Sequence, residues 1–395
     1  MKILYLVHRL PYPPNKGDKV RSYHLLKHLA ARHEVHLGTF IDDPDDEQHV
    51  ATVRALCAGL HVARLNPRAA KLASLRGLLT GEALSLPYYR DSGLQAWVEW
   101  SAARVGFDAV VVFSGVMAQY VPAGLRQLVD FVDVDSAKWR DYAPEHAWPM
   151  SWLYRRESTK LLAFEQRVAA QADHSFFVTD NEVALFRELS PGRDLRLAAL
   201  GNGVDADFFA PDPARASPFA AGELPLVFTG AMDYWPNVDA VTWLVRDMLP
   251  ALRERFPALR FHIVGRSPTP AVQALASDSV NVTGTVPDVR PWLQHAAAVV
   301  APLRLARGLQ NKVLEAMAMA RPVVAAGNCV RAITAGTQPG LQPADEASVY
   351  VEQLSALLRN RAAADAAGQQ AREFVVGAYS WDAHLAVLDR HLEAA

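Results

Sequence analysis

Short apolar segments alternate with amphipathic helical segments along this 395-residue chain, and the alternation occurs in two series. The first series begins with a strand at "KILYLVH" and a helix at "GDKVRSYHLLKHLAARH", and the second begins with a strand at "PLVFTG". Strands that alternate with helices are typical of a parallel sheet covered on both faces. The sequence therefore predicts an α/β protein with two Rossmann-like, doubly wound domains that face each other across a cleft.

A segment rich in proline, alanine and acidic residues, "DADFFAPDPARASPFAAGELP", separates the two series. Such composition is typical of a linker. We predict a first domain over residues 1–205, a linker over 206–224 and a second domain over 225–375. Ligands of doubly wound domains bind at the carboxyl ends of the strands, so we expect the functional residues there.

Composition excludes several classes of function. The net charge of -2 argues against a nucleic-acid partner. Two cysteines, Cys57 and Cys329, provide neither a disulfide framework nor a metal-binding spacing, which is typical of a reducing compartment. The apolar run at the amino terminus is interrupted by His8 and Arg9, so it predicts a buried strand rather than a signal peptide. We therefore expect a cytoplasmic protein.

A lysine follows the predicted strand "AVVAPL" at the start of a predicted helix. Helix amino termini carry unpaired N–H groups and a partial positive charge, so the backbone from Gly308 to Asn311 can bind an anion. Lys312 is unfavourable to the helix dipole at this position, which indicates that a bound anion compensates its charge. Glu315 can accept hydrogen bonds from sugar hydroxyls. The alternative is an exposed Lys312–Glu315 pair that contributes only about 0.2–0.5 kcal/mol.

The segment "GLQNKVLEAMAMARPVVA" resembles the donor site of family 4 glycosyltransferases, which are retaining enzymes of the GT-B fold. The segments "NGVD", "FTGAMDYWPNVDA", "FHIVG" and "VTGTVPDV" resemble the same family in the same order. The resemblance implies that Lys312 holds the donor phosphates and that Glu315 holds the nucleotide ribose. The predicted donor-binding set is Gly230, Arg266, Arg307, Gly308, Leu309, Gln310, Asn311, Lys312 and Glu315.

The sequence departs from the family pattern at two positions. Arg307 occupies the position of a glutamate that the family uses on the donor sugar, so the identity of the sugar is open. Ala231 occupies the position of an arginine that binds phosphate. Arg266 or Arg307 could supply the missing charge, and we favour Arg266. Either arginine could equally be a solvated surface residue.

The resemblance extends to the end of the chain, where "YSWDAHL" is similar to a tail helix that crosses back to the first domain. This implies a C-terminal helix over residues 376–395. More narrowly, "HRLPYPPNKGDKVRSYH" and "FVDVDSAKW" are similar to sugar transferases of the exosortase/PEP-CTERM exopolysaccharide system. That similarity implies an acceptor that is lipid-linked or is a growing exopolysaccharide.

Acceptor-side candidates come from the first series. Gly17 lies in a strand-to-helix turn and His8 ends the first strand, although both features are common in proteins without a site. Asp133 and Asp135 follow a predicted strand and could orient an acceptor hydroxyl. Their spacing also invites a metal site, because paired carboxylates bind hard cations. The GT-B resemblance argues against a metal, and we expect none to be required.

Residues 146–160, "HAWPMSWLYRRESTK", interleave aromatic residues with arginines and a lysine. This composition suits a peripheral contact with an anionic membrane. A helix packed on its own domain explains the same pattern equally well. No apolar stretch approaches the ~20 residues that a membrane span needs.

We therefore predict a retaining glycosyltransferase that moves a sugar from a nucleotide-diphosphate donor to a hydroxyl, with Lys312 and Asp133 as catalytic candidates. The donor is a substrate, and no cofactor is expected. One alternative is a GT-B sugar-nucleotide epimerase, which would act without an acceptor. A second is a non-catalytic partner in polysaccharide assembly. A dinucleotide oxidoreductase is disfavoured because neither domain opens with a G-x-G-x-x-G motif.

Overall fold

The computed structural model describes residues 1–14, 17–304, 309–334 and 336–393. The chain divides into two compact units. The first contains Met1–Gly201 together with the chain from His384 onward, and the second contains Asn202–Ala383.

Within the described part of the first unit, seven parallel strands form one sheet in the order β3-β2-β1-β4-β5-β6-β7. The strands are β1 (Lys2–Val7), β2 (Glu34–Ile41), β3 (Gly59–Arg64), β4 (Ala109–Phe113), β5 (Arg126–Val132), β6 (His174–Phe177) and β7 (Leu197–Ala199). The α-helices are α1 (Gly17–Ala30), α2 (Val50–Arg54), α3 (Pro67–Ser74), α4 (Arg76–Thr80), α5 (Ser85–Tyr88), α6 (Ser92–Val105), α7 (Asp135–Tyr142), α8 (Met150–Gln171) and α9 (Asp180–Glu188), with 3-10 turns at Pro44–His49, Gly115–Tyr120 and Ala143–Glu145.

The central strands of this sheet are buried on both faces. Every residue of β4 is buried, as is β1 from Ile3 to Val7. Parallel strands covered by helices on both sides read as continuous apolar runs, which is why these two strands could be predicted. The edge strand β3 is mostly half-buried and carries no such run. It was not predicted.

Within the described part of the second unit, six parallel strands form a sheet in the order β10-β9-β8-β11-β12-β13. The strands are β8 (Leu224–Thr229), β9 (Leu259–Val264), β10 (Val280–Gly284), β11 (Ala298–Ala301), β12 (Val323–Ala325) and β13 (Leu341–Pro343). The α-helices are α10 (Trp235–Trp243), α11 (Leu249–Arg255), α12 (Pro270–Gln273), α13 (Arg290–Gln294), α14 (Asn311–Ala318), α15 (Gly327–Arg331), α16 (Ala347–Arg359) and α17 (Arg361–Tyr379).

The helical segment that follows β8 is interrupted by a π-helical turn at Leu244–Met248. Pro250 lies in the first turn of α11, and it can neither donate a backbone hydrogen bond nor fit the preceding helical turn without a clash. A single regular helix therefore cannot run from α10 through α11.

The last helix, α18 (Trp381–Glu393), packs on the first unit from His384 onward. Asp389 accepts a hydrogen bond from His28 Nε2 at 2.8 Å, and the rings of His174 and His391 stack with their centroids 3.8 Å apart. Among the helices of the described residues, none is both long and apolar enough to cross a membrane.

Both sheets have the strand order of a doubly wound fold, in which the order reverses beside the first strand. The reversal lies between β1 and β4 in the first unit and between β8 and β11 in the second. Such folds bind ligands at the carboxyl ends of the strands near this reversal. The predicted fold class, α/β with two Rossmann-like domains, is confirmed.

Candidate functional site

A cavity of about 380 Å³ opens in the second unit where β8, β9 and β10 end. Its position beside the reversal of strand order is where the fold predicts a ligand. The described residues that line it are Thr229, Gly230, Ala231, Val264, Gly265, Arg266, Thr285, Val286, Val289, Lys312 and Glu315. Four of the predicted donor-binding residues are therefore brought together in one cavity, namely Gly230, Arg266, Lys312 and Glu315.

Lys312 lies in the first turn of α14, and its ammonium is held by two neighbours. Its Nζ donates a hydrogen bond to Asn237 Oδ1 at 2.6 Å, and the same atom lies 4.1 Å from the centre of the Phe228 ring. Phe228 is fully buried in β8. A cation above an aromatic face and against an amide oxygen is fixed in direction, so the ammonium is positioned before any ligand binds.

Two glycines make room for this arrangement. A Cβ atom added to Gly230 would lie 2.7 Å from Asn237 Nδ2 and 2.9 Å from Lys312 Nζ. A Cβ atom on Gly265, whose φ is +153°, would lie 1.7 Å from the carbonyl oxygen of Gly230. The ends of β8 and β9 therefore approach each other so closely that position 265 accepts no side chain, and a side chain at position 230 would displace Asn237 or Lys312.

The charges of Lys312 and Glu315 are both weakened by their surroundings. Burial lowers the pKa of Lys312 to about 7, although the carboxylate of Glu315 opposes this effect. Burial also raises the pKa of Glu315 to about 7, against the influence of Lys312. Both side chains are partly buried, so the interpretation of the two as a solvent-exposed pair is wrong. An anion in the cavity would favour the charged form of Lys312.

Arg266 follows β9, lines the cavity and is exposed to solvent. The structure gives its guanidinium no ion pair with another described residue, so this group is available to a ligand. The sequence favours Arg266 as the replacement for the family's arginine, whose position is occupied here by Ala231. Both residues line the same cavity.

The other predicted donor residues precede or begin α14. Leu309 packs against the apolar core of the second unit, so only its backbone can serve a ligand. Gln310 is the residue before the helix and Asn311 is its first residue, and both are partly buried. Arg307 and Gly308 lie outside the described residues.

The acceptor-side candidates His8 and Gly17 lie at the carboxyl end of β1. His8 Nε2 is 3.4 Å from Asp18 Oδ2, and the His8 ring stacks on Phe113. Arg9 also pairs with Asp18, at 2.7 Å. Burial opposes the charge of Asp18, but the hydrogen bond from His8 and the charge of Arg9 hold its pKa well below the ordinary value. Gly17 begins α1, and a Cβ atom there would meet nothing within 4 Å.

Asp133 and Asp135 follow β5 at the same edge of the first sheet. Both accept from the ammonium of Lys138, at 2.8 Å and 3.0 Å respectively. Burial opposes the charge of Lys138, but Asp135 and Asp133 raise its pKa above the ordinary value. The two carboxylates are thus brought together around one cation.

Three of the residues that the sequence did not predict shape the cavity region. Asn237 holds Lys312, yet the two are 75 positions apart and no local pattern connects them. Thr229 ends β8, and its buried Oγ1 has no hydrogen-bond partner among the described residues. Gly265 ends the apolar run "LRFHIVG", and a glycine directly after a buried strand was the available signal.

Comparison with known proteins agrees with this geometry. Residues 223–360 match the family described as "Glycosyl transferases group 1". Two solved structures superpose over nearly the whole chain. HepE from Anabaena in complex with UDP gives a TM-score of 0.69 at 16% identity and covers 100% of both chains. Sucrose-phosphate synthase from Thermosynechococcus elongatus gives a TM-score of 0.68 at 18% identity, and the match covers 99% of this chain and 98% of that one. The fold is GT-B.

A D-inositol 3-phosphate glycosyltransferase from Mycobacterium avium is 28% identical over 239 residues. The match includes 55% of this chain and 54% of that protein, so the chain spans about half the length of the curated relatives it matches. Every described residue that lines the cavity lies within 223–360. The part of the GT-B fold that matches the group 1 glycosyltransferases is therefore the part that carries the cavity.

Proposed function

We propose that this protein is a glycosyltransferase that takes a sugar from a nucleotide-diphosphate donor. The observation that carries the proposal is the cavity at the ends of β8 and β9, where Lys312 and Glu315 lie on one face of α14. A diphosphate carries negative charge and a ribose carries hydroxyls, which are the groups that an ammonium and a carboxylate bind. HepE, which shares the fold, is a protein solved with UDP and with UDP-glucose.

In this proposal the cavity binds the leaving group of the reaction. Lys312, the N–H groups at the start of α14 and Arg266 meet the charge of the diphosphate as the sugar leaves. Glu315 accepts hydrogen bonds from the ribose hydroxyls. The bond from the anomeric carbon to the phosphate oxygen breaks with its electron pair passing to the diphosphate, a new bond to the acceptor oxygen forms, and the proton of the acceptor hydroxyl passes to the released diphosphate. We propose that the configuration at the anomeric carbon is retained, as the family 4 resemblance implies.

We propose a lipid-linked or exopolysaccharide acceptor, in keeping with the narrower resemblance to the exosortase/PEP-CTERM sugar transferases. Asp133 and His8 lie at the carboxyl edge of the first sheet, where a doubly wound domain offers a binding surface. We further propose that the enzyme works in the cytoplasm, with residues 146–160 in peripheral contact with a membrane.

The fold also suits two other functions. An epimerase would bind the same donor, invert one stereocentre of its sugar and give back an epimeric nucleotide sugar, without any acceptor. A non-catalytic assembly partner would bind the nucleotide without turnover. The three functions differ in what is released and what becomes labelled, so one assay separates them.

The purified protein is incubated with radiolabelled nucleotide sugars of different bases, with and without a membrane extract. A glycosyltransferase releases nucleotide diphosphate and labels lipid or polysaccharide only with the extract. Lys312→Ala serves as the control that removes the proposed phosphate ligand. An epimeric nucleotide sugar that forms without the extract indicates an epimerase, and binding without any turnover indicates an assembly partner.

A further inference from the structure

Four leucines of α3, α4 and the residue between them are exposed to solvent. Leu79 is 91% exposed and Leu72 is 72% exposed, and Leu75 and Leu78 are exposed as well. Leu72, Leu75 and Leu79 are separated by three and four residues, which places them on one side of consecutive helical turns. Leucines this exposed lower the solubility of a protein, and a contiguous apolar patch marks a surface that contacts another molecule or a membrane.

A second group of exposed apolar residues lies at the start of α8. Trp148 is 81% exposed, and Met150 and Trp152 are also exposed. Leu153 and Tyr154 are only partly buried, and Ser151 is buried. The segment therefore packs on its own domain through one side and presents the other side to solvent.

One hydrogen bond joins these two segments within the first unit, and a second contact holds α8 to the residues that follow α4. Arg156 donates to the carbonyl oxygen of Gly77 in α4. Glu157 accepts from the backbone N–H groups of Leu84 and Ser85, at 2.6 Å and 2.9 Å. The start of α8 is thus held beside α4 and the residues that follow it, and we treat the two apolar groups as one surface. We call this surface, formed by residues 67–80 and 148–160, the leucine–tryptophan surface.

The charges on the leucine–tryptophan surface have one sign. Residues 67–80 contain Arg68, Lys71 and Arg76 and no acidic residue. The exposed face of α8 adds Arg155 and Lys160. These five side chains have no acidic partner in the described part of the chain. The acid within 148–160, Glu157, is buried against Leu84 and Ser85 and does not neutralise them. Exposed leucines and tryptophans surrounded by unpaired cations fit an anionic lipid surface.

We propose that the leucine–tryptophan surface is a membrane-docking surface that inserts Leu72, Leu79 and Trp148 into an anionic bilayer. This deepens the peripheral contact proposed for residues 146–160, because it assigns the insertion to α3 and α4 as well. The apolar side chains enter the acyl boundary while the cations meet lipid phosphates. An anionic bilayer offers an apolar interior to the leucines and phosphates to the cations, so the combination favours a membrane.

The test is flotation of the full chain with phosphatidylcholine vesicles, with and without phosphatidylglycerol. We expect the protein to float only with phosphatidylglycerol, and we expect added salt to weaken the binding. The Leu72→Ser, Leu79→Ser double variant should bind these vesicles at least about tenfold more weakly, since two apolar side chains that enter the bilayer are lost. The matched control is Val349→Ser, Val376→Ser, which removes exposed apolar residues of the second unit and should float like the parent.

Quenching by brominated lipids separates insertion from adsorption. Vesicles with brominated acyl chains should quench the tryptophan fluorescence of the parent, and Trp148→Phe should lose part of that quenching. Calorimetry with UDP on the leucine double variant should give unchanged affinity, so a failure of membrane docking is distinguishable from a failure of the donor site. The proposal is overturned if the leucine double variant floats like the parent. It is also overturned if sedimentation shows that these leucines pair two copies of the chain that do not float.

Discussion

Nucleotide binding should depend on pH through the proton of Lys312. Burial lowers the pKa of this lysine to about 7 in the unliganded cavity, so the ammonium loses its proton as the pH rises above neutrality. A bound diphosphate stabilises the charged form and raises that pKa. Binding should therefore take up a proton above pH 7, and affinity should fall as the pH rises through the pKa of the free site.

The magnitude follows from the fraction of protein that carries the charge. With a pKa of about 7 in the free site, the dissociation constant for UDP should rise as the pH rises above neutrality, at most about tenfold for each pH unit. At most about one proton should be taken up through Lys312 for each UDP bound.

Isothermal titration calorimetry measures both quantities when it is run in buffers that differ in ionisation enthalpy. Lys312→Gln should bind UDP weakly with a nearly flat pH profile, because no proton remains to be taken up at this position. Glu315→Gln is the matched control for the neighbouring carboxyl group. If Lys312→Gln keeps the slope of the parent, the titrating group is not Lys312 and the reasoning is refuted.

Three further predictions concern the same cavity. Glu315→Ala should weaken UDP binding by roughly 1.5–3 kcal/mol because a charged hydrogen-bond partner of the ribose is lost; unchanged affinity in calorimetry would remove this residue from the site. Turnover should persist in EDTA, and Asp133→Ala should leave the response to magnesium unchanged; magnesium-dependent activity would contradict this. Lys312→Ala should lower kcat about a hundredfold. Gly265→Ala should lower the free energy of unfolding by roughly 1–3 kcal/mol, whereas Gly377→Ala, whose added Cβ meets nothing within 4 Å, should not; equal melting temperatures would contradict the close approach of β8 and β9.

The fold was predictable because central parallel strands are continuous apolar segments that can be recognised in the sequence. A segment such as "AVVVF" in β4 has no polar face, since helices cover both sides of it. The edge strands β3 and β13 lack this continuity because one of their sides is less covered, and no local pattern replaces it. Their existence depends on the strands beside them.

The location of the candidate site was predictable from one helix, but its electrostatics were not. The spacing of Lys312 and Glu315 places both on one face of α14, and spacing is a local property. Their altered pKa values arise from burial beside Phe228 and Asn237, which come from the other side of the sheet reversal. Burial is set by packing between distant segments, so it cannot be read from the residues near Lys312.

Only part of the leucine–tryptophan surface could be predicted from the sequence. The aromatic and basic residues of 146–160 stand out by composition, but leucines with intervening arginines in 67–80 read as an ordinary amphipathic helix. An amphipathic helix normally buries its leucines. Only the tertiary structure shows that Leu72 and Leu79 face solvent.

The central claim is that the cavity at the ends of β8 and β9 binds the nucleotide diphosphate. A crystal structure of the protein with bound UDP, or with GDP or ADP where calorimetry selects that base, tests it most directly. We expect diphosphate oxygens within hydrogen-bond distance of Lys312 Nζ and of the first N–H groups of α14, with ribose hydroxyls on the carboxylate of Glu315. A nucleotide bound elsewhere, with Lys312 still paired only with Asn237, would contradict it.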